Sequence, residues 1–302
     1  MCPTTLASLP GELVRTACAA AASDGVPLHD RRAQLALARA LARLDVVVAA
    51  IREVREALRA DGHALVAVPG LAAMPRPERD RAVVAVSCLL GTPSPVDLDE
   101  QILVWDVRAR LDLPEQQRAL NVSVSAGQAC LHTDSTFASR PERWFGLWCL
   151  RPAADGGANV LVDGRRLLDS LAADPAARHV RHVLREQNVP LWDGRRLVPT
   201  RVLGRDQHGH LTVRYREDLI ERGVHLARLA PDDPVVLALR AFADLLGEPE
   251  HRRAVRLDRD EVLFVDNHRM LHAREHFADA RRHLLRTRMH EPPLVRLDER
   301  AE

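Results

Sequence analysis

From residue 120 onward the chain breaks into short β-leaning runs divided by turn signals, and this pattern limits the folds open to it. The runs are Asn121–Ser125, Ala129–His132, Arg143–Leu150, Asn159–Asp163, Val198–Leu203, Leu211–Arg216, Glu261–Val265 and Leu284–His290. Asp155-Gly156-Gly157, Asp193-Gly194 and His208-Gly209 punctuate them. Each run has the length of a single strand, and many short strands with tight turns build a sandwich or a barrel. Two helical stretches, Arg165–Leu184 and Pro234–Leu246, interrupt the series.

The first 62 residues read differently. Leu35, Leu37, Leu41, Leu44, Val48, Ile51 and Val54 recur mostly at steps of three and four, the period of an amphipathic helix. His63 to Pro69 reads as a strand ended by a Pro-Gly turn. Arg76 to Leu90 reads as a helix with Gly91 as its C-cap, and Gln101 to Val107 as a strand. No repeat and no Gly-, Ser- or Pro-rich linker divides the chain. Residues 1–302 therefore read as one domain, with a mostly helical region over 1–62 packed on a β core over 120–290.

Composition removes several function classes. All 43 basic residues are arginine. Without lysine there is no Schiff-base or pyridoxal-phosphate enzyme, no P-loop NTPase and no protein kinase. A net charge of +1, with five Phe, four Trp and the single Tyr215, argues against a nucleic-acid partner. The apolar runs fall short of the roughly 20 residues that span a bilayer, so no membrane partner is expected. Cys2, Cys18, Cys88, Cys130 and Cys149 are odd in number and contain no C-x-x-C pair, which suits a reducing cytoplasm.

Two segments could carry chemistry. In His132-Thr133-Asp134, residues i and i+2 of a strand share a face, so an imidazole and a carboxylate project together. The triplet is weak by itself: 14 histidines and 42 acids in 302 residues predict about two H-x-[DE] matches by chance, and one occurs. The second segment runs from Asp266-Asn267 through His272 to Arg274, followed by Arg281-Arg282-His283-Leu284-Leu285-Arg286. A late histidine there could add a third metal ligand. An arginine fork could hold a carboxylate through both oxygens. His268, His272 and His276 stand four apart, which on a helix would suggest zinc, but Asp266-Asn267 reads as a turn and no H-E-x-x-H occurs.

Taken in order, these segments resemble the Fe(II)/2-oxoglutarate-dependent dioxygenases of the TauD/TfdA (taurine dioxygenase, clavaminate synthase-like) family. Leu131 to Phe137 is similar to the family's first metal motif. Trp148 to Ala153 and Gly156-Gly157-Ala158-Asn159 are similar to the strand and Gly-Gly turn after it. Val213 to Arg216 is similar to a mid-chain segment, and Asp266 to Arg286 to the closing motif. The resemblance covers roughly residues 120–290.

It implies an α+β fold with a double-stranded β-helix (jelly-roll) core, flanking helices and a helical N-terminal region. It implies that His132, Asp134 and His272 hold Fe(II), with 2-oxoglutarate and O2 as co-substrates. Arg282 would grip the distal carboxylate of 2-oxoglutarate. Asn159 stands where the family carries Thr or Ser beside that carboxylate. Arg286 is the candidate for a substrate anion, and Gln128, Thr136, Asn121 and Ser123 are candidates by position. With Asp134 present, hydroxylation is expected rather than halogenation. The substrate would be a small polar amino acid or carboxylate, free or tethered to a carrier protein. Desaturation, epoxidation or cyclisation by the same site, a zinc hydrolase, and a non-catalytic binding module are the alternatives.

Overall fold

The computed structural model describes residues 7–22, 25–95, 100–110, 112, 125, 127–175 and 177–297. Among these the helices are α1 Gly11–Ala21, α2 Arg31–Ala42, α3 Asp45–Asp61, α4 Arg76–Leu90, α5 Gly164–Ala173, α6 Arg178–Glu186, α7 Glu217–Leu226 and α8 Pro234–Gly247. The strands are β1 Ala7–Ser8, β2 His63–Ala67, β3 Thr92–Ser94, β4 Trp105–Val107, β5 Ala129–His132, β6 Trp144–Arg151, β7 Asn159–Asp163 and β8 Val189–Trp192. They continue with β9 Leu197–Thr200, β10 Leu203–Arg205, β11 Leu211–Val213, β12 Arg252–Val255, β13 Glu261–Asp266, β14 Met270–Arg274 and β15 His283–His290.

Seven strands form one sheet in the order β1-β2-β13-β6-β15-β3, with β4 also paired to β15. Four form a second, β12-β7-β14-β5. From β5 to β7 and from β12 to β15, consecutive strands pass between these two sheets, β5 and β7 lying in one and β6 in the other. Leu65, Phe145, Leu263 and Leu284 of the larger sheet share an apolar cluster with Leu161, Val255 and Met270 of the smaller one. The two sheets therefore pack on each other.

Period-2 alternation sends the other residues outward. Trp148, Val262, Phe264, Leu285 and Met289 leave the larger sheet to pack on α1–α4. Val160, Val162, Leu271 and Ala273 leave the smaller sheet to pack on α5–α8. The architecture is thus helices, sheet, sheet, helices, mixed in α and β content. No described helix is long and apolar enough to cross a membrane.

Several elements differ from the expectation. The strand expected from Gln101 shrinks to β4, because Gln101 itself adopts φ 54, outside any extended conformation. The run Val198–Leu203 splits because β9 pairs with β8 while β10 pairs with β11. The helix expected over 165–184 divides at Asp174-Pro175, where proline lacks the N–H to continue it. Gly91 does end α4, but with φ −160, an extended rather than left-handed cap. Its role is close approach: a Cβ there would stand 2.7 Å from the His290 carbonyl oxygen. Asn121 and Ser123 lie outside the described residues.

Candidate metal centre

β5 and β14 pair antiparallel with His132 directly opposite His272. This register stacks the two imidazoles, ring centroids 4.2 Å apart, although the residues are 140 apart in sequence. Asp134 follows β5 by two residues and brings its Oδ1 to 3.9 Å from His132 Nε2. One ligand atom from each of the three lies within 4.8 Å of the others. Neither His268 nor His276 joins this group among the described residues. His268 instead sets its Nε2 3.2 Å from the Pro141 carbonyl.

The chemistry of the three side chains suits a divalent cation. His132 Nδ1 lies 2.9 Å from the Cys130 carbonyl, so its proton is placed there and Nε2 keeps a free lone pair. Burial pushes both imidazoles down, His272 well below the usual histidine range with His132 beside it adding to the effect, which keeps them neutral. Burial would raise the Asp134 carboxyl, but the Arg288 and Arg286 guanidiniums beside it hold it well below its ordinary value. Two neutral imidazoles and an ionised carboxylate are the protonation states that metal binding requires.

The loop carrying Asp134 is fastened at every step. Thr133 N donates to the Tyr215 carbonyl at 2.8 Å, and Thr136 Oγ1 donates to the Thr133 carbonyl at 2.6 Å. Asn267 is 1% exposed and clamps the aspartate's own backbone. Its Oδ1 accepts from Asp134 N at 2.7 Å, and its Nδ2 donates to the carbonyls of Asp134 and Glu142.

Behind the histidines lies a small cavity of about 60 Å³, lined among others by His132, His272, Asn159, Arg274, Arg282 and Arg286. Arg282 is 3% exposed, and its Nη1 has no hydrogen-bond partner. Burial pushes its guanidinium down to about 10. It rests over the Phe277 ring at 5.0 Å, as does Arg274. Gly157, at φ +68, allows this packing, since a Cβ there would sit 3.3 Å from Arg282 Nε. Asn159 donates its amide to the Val255 carbonyl at 3.3 Å. A buried cation that no described carboxylate neutralises, facing two imidazoles across a cavity, calls for an anion.

A family model described as "Taurine catabolism dioxygenase TauD, TfdA family" matches residues 31–288. The chain belongs to the TauD/TfdA family. Over 184 residues it is 26% identical to the dioxygenase str8 of Strobilurus tenacellus, a match covering 58% of this chain and 40% of that protein's length. Asparagine oxygenase, solved with Fe(II), 2S,3S-3-hydroxyasparagine and succinate, superposes with a TM-score of 0.71 at 17% identity. That likeness covers 94% of this chain and 93% of the other. The non-heme iron oxygenase OrfP, solved with Fe, succinate and (3R,4R)-dihydroxy-L-Arg, superposes at 0.69 with 18% identity, over 94% and 93%. At such identities the likeness is one of fold.

Within this TauD/TfdA chain the remaining candidates fall unevenly. Arg286 lines the cavity with Arg282, and its Nη1 is 3.5 Å from Asp134 Oδ1. Thr136 is buried with its hydroxyl turned to the Thr133 carbonyl, so it shapes the loop carrying Asp134. Gln128 is exposed just before β5 and is not among the residues lining the cavity. Sequence reasoning missed Arg288, whose Nε lies 3.2 Å from Asp134 Oδ2, and Asn267. Arg288 follows Arg286 by two on the same strand, a signal that period-2 reading contains. Arg274 donates to the carbonyls of Ser125 and Gly127, tying β14 to the segment that enters β5.

Proposed function

We propose that the chain is a non-haem Fe(II)/2-oxoglutarate-dependent oxygenase that hydroxylates an unactivated C–H bond of a small polar metabolite, an amino acid or carboxylate, releasing succinate and CO2. The carrying observation is the buried Arg282, with no carboxylate partner among the described residues, lining one cavity with His132 and His272. His132, Asp134 and His272 would hold Fe(II) as a facial triad that leaves positions open. Bound Fe(II) with 2-oxoglutarate and O2 supplies the oxidising chemistry. Arg282 would bind the distal carboxylate of 2-oxoglutarate, and the Asn159 amide would flank it. Arg286 would bind a substrate anion. Arg288 and Asn267 hold Asp134 in place and ionised. Phe145, Leu147 and Leu284 give the cavity apolar walls.

The passage of consecutive strands between the two sheets supports reading the core as a double-stranded β-helix, within a single domain. The free thiols of Cys18, Cys88, Cys130 and Cys149 support a cytoplasmic setting. The products held by asparagine oxygenase and OrfP are hydroxylated amino acids, which supports an amino acid here and hydroxylation over desaturation, epoxidation or cyclisation. Anaerobic addition of Fe(II) and 2-oxoglutarate should give a visible charge-transfer band that His132→Ala and Asp134→Ala lose. An unchanged band in those variants would sink the assignment. A succinate-release screen over amino acids and carboxylates, with product mass read for one added oxygen, then identifies the substrate.

A further inference from the structure

A second cavity, about 530 Å³, shares no lining residue with the one between His132 and Arg282, yet it reaches the metal loop at Thr133 and Asp134. The β10–β11 hairpin and the stretch Ser139–Arg143 form its walls. Five arginines line it: Arg140, Arg143, Arg201, Arg205 and Arg214. Two of its acids, Asp206 and Glu291, both pair with Arg143, at 3.7 and 2.5 Å. The other four arginines have no carboxylate within ion-pair distance among the described residues. Arg140, Arg205 and Arg214 donate only to backbone carbonyls, those of Glu291, Gly209 and Ser139.

Four like charges around one concavity repel each other, and carbonyl acceptors leave that charge in place. The arrangement favours an anion able to meet several guanidiniums together. A carboxylate offers two oxygens and one charge, and Arg286 already stands beside the triad for such a group. A phosphate monoester offers three acceptor oxygens and close to two charges, which suits arginine forks converging from separate segments. The cavity is large enough for a phosphate and a connecting chain, and its floor is the loop that presents Asp134.

We propose that this cavity is a phosphate subsite, and that the substrate carries a phosphate at the end remote from the oxidised C–H. The direction toward the metal rests on the oxygenase reading above, whereas phosphate binding itself does not. The phosphate is the monoester of a free phosphorylated metabolite, since the diester of a carrier protein's prosthetic arm has one charge and two free oxygens, no more than a carboxylate.

Calorimetric titration of the metal-free full chain tests this. The probes are glycerol 3-phosphate and a serine peptide bearing phosphopantetheine, with glycerol and pantetheine as phosphate-free controls. Saturable binding of a phosphate probe, and none of the controls, is expected. Tighter binding of glycerol 3-phosphate than of the peptide is expected, and tighter binding of the peptide overturns the monoester assignment. The Arg201→Ala/Arg205→Ala double variant, altered at two exposed positions that leave the fold intact, should bind about tenfold or more weakly. No saturable binding by the parent, or equal binding by the double variant, overturns the subsite. The anaerobic Fe(II)/2-oxoglutarate band, read in the same double variant, should be unchanged. An intact band with failed phosphate binding removes only the subsite, and a missing band in the parent removes the oxygenase reading.

Discussion

Strand β15 presents two kinds of interior on alternate residues. Leu285 and Met289 turn toward α1–α4 and join the cluster there, while Leu284 turns into the space between the sheets. Thr287 shares the helix side, where its Oγ1 accepts from Trp148 Nε1 at 3.1 Å and lies 3.2 Å from Ser87 Oγ. Arg286 and Arg288 share the other side with Leu284, both against Asp134. The helix side of β15 is apolar, with the Thr287 and Ser87 hydroxyls and Trp148 Nε1 paired. Between the sheets, Arg282 Nη1 and Arg286 Nε are buried without hydrogen-bond partners among the described residues. Buried polar groups are normally satisfied, so orphans gathered between the two sheets mark where a ligand completes the structure. One face stabilises, and the other holds charge in readiness.

His272→Ala should produce the largest separation between the two faces. Losing a metal ligand should cost more turnover than the roughly 10–100-fold of losing an outer partner, while the melting temperature stays near the parent's. A melting temperature that collapsed with the activity would break the division. On the helix side, Phe264 is fully buried and edge-on to Trp148 at 5.3 Å. Phe264→Ala should cost about 3–5 kcal/mol in denaturant unfolding. Turnover per folded molecule should hold, and its loss would show that the faces are coupled.

Arg282→Met removes a buried cation and keeps most of its volume. The KM for 2-oxoglutarate should rise about 10–100-fold, as a charge-assisted contact is lost. Stability should stay level or rise, because the charge removed has no carboxylate to neutralise it among the described residues. A large fall in melting temperature would mean that Arg282 serves the fold, and would set it with Thr287 rather than with His272.

How far each face was legible in the sequence follows from the same contrast. The apolar side is written as local period: α4 and β7 fall at the expected residues, and β15 begins one residue early. Elements with little apolar character went unread. β12 is Arg252-Arg253-Ala254-Val255, largely exposed, and β14 carries His and Arg at alternate positions in only five residues. α7 begins directly after the run Leu211–Arg216, whose last residue is its N-cap. His132-Thr133-Asp134 stands at the chance rate alone, and only the ordered resemblance raised it to a site. The Asn267 clamp on Asp134 joins residues 133 apart with no local pattern to announce it.

The smallest change cuts between the faces at a single peptide unit. Thr287 is 1% exposed and adjoins Arg286, but its side chain turns the other way. Thr287→Val is nearly isosteric, so packing on α4 is kept and the hydroxyl alone is lost. Trp148 Nε1 then loses its acceptor in a dry setting, and Ser87 Oγ keeps only its bond to the Val83 carbonyl at 2.8 Å. Leaving a buried donor unpaired costs about 1–3 kcal/mol, which should appear as a lower denaturant midpoint with an unchanged slope. Arg286 should keep its position, because the strand is held by seven register partners on β6 and by β4. The KM for 2-oxoglutarate and kcat should therefore match the parent. Parental stability would deny that this hydroxyl is the acceptor holding Trp148. Altered kinetics at reduced stability would mean that strain crosses the strand, and that the two interiors of β15 are a single cooperative unit.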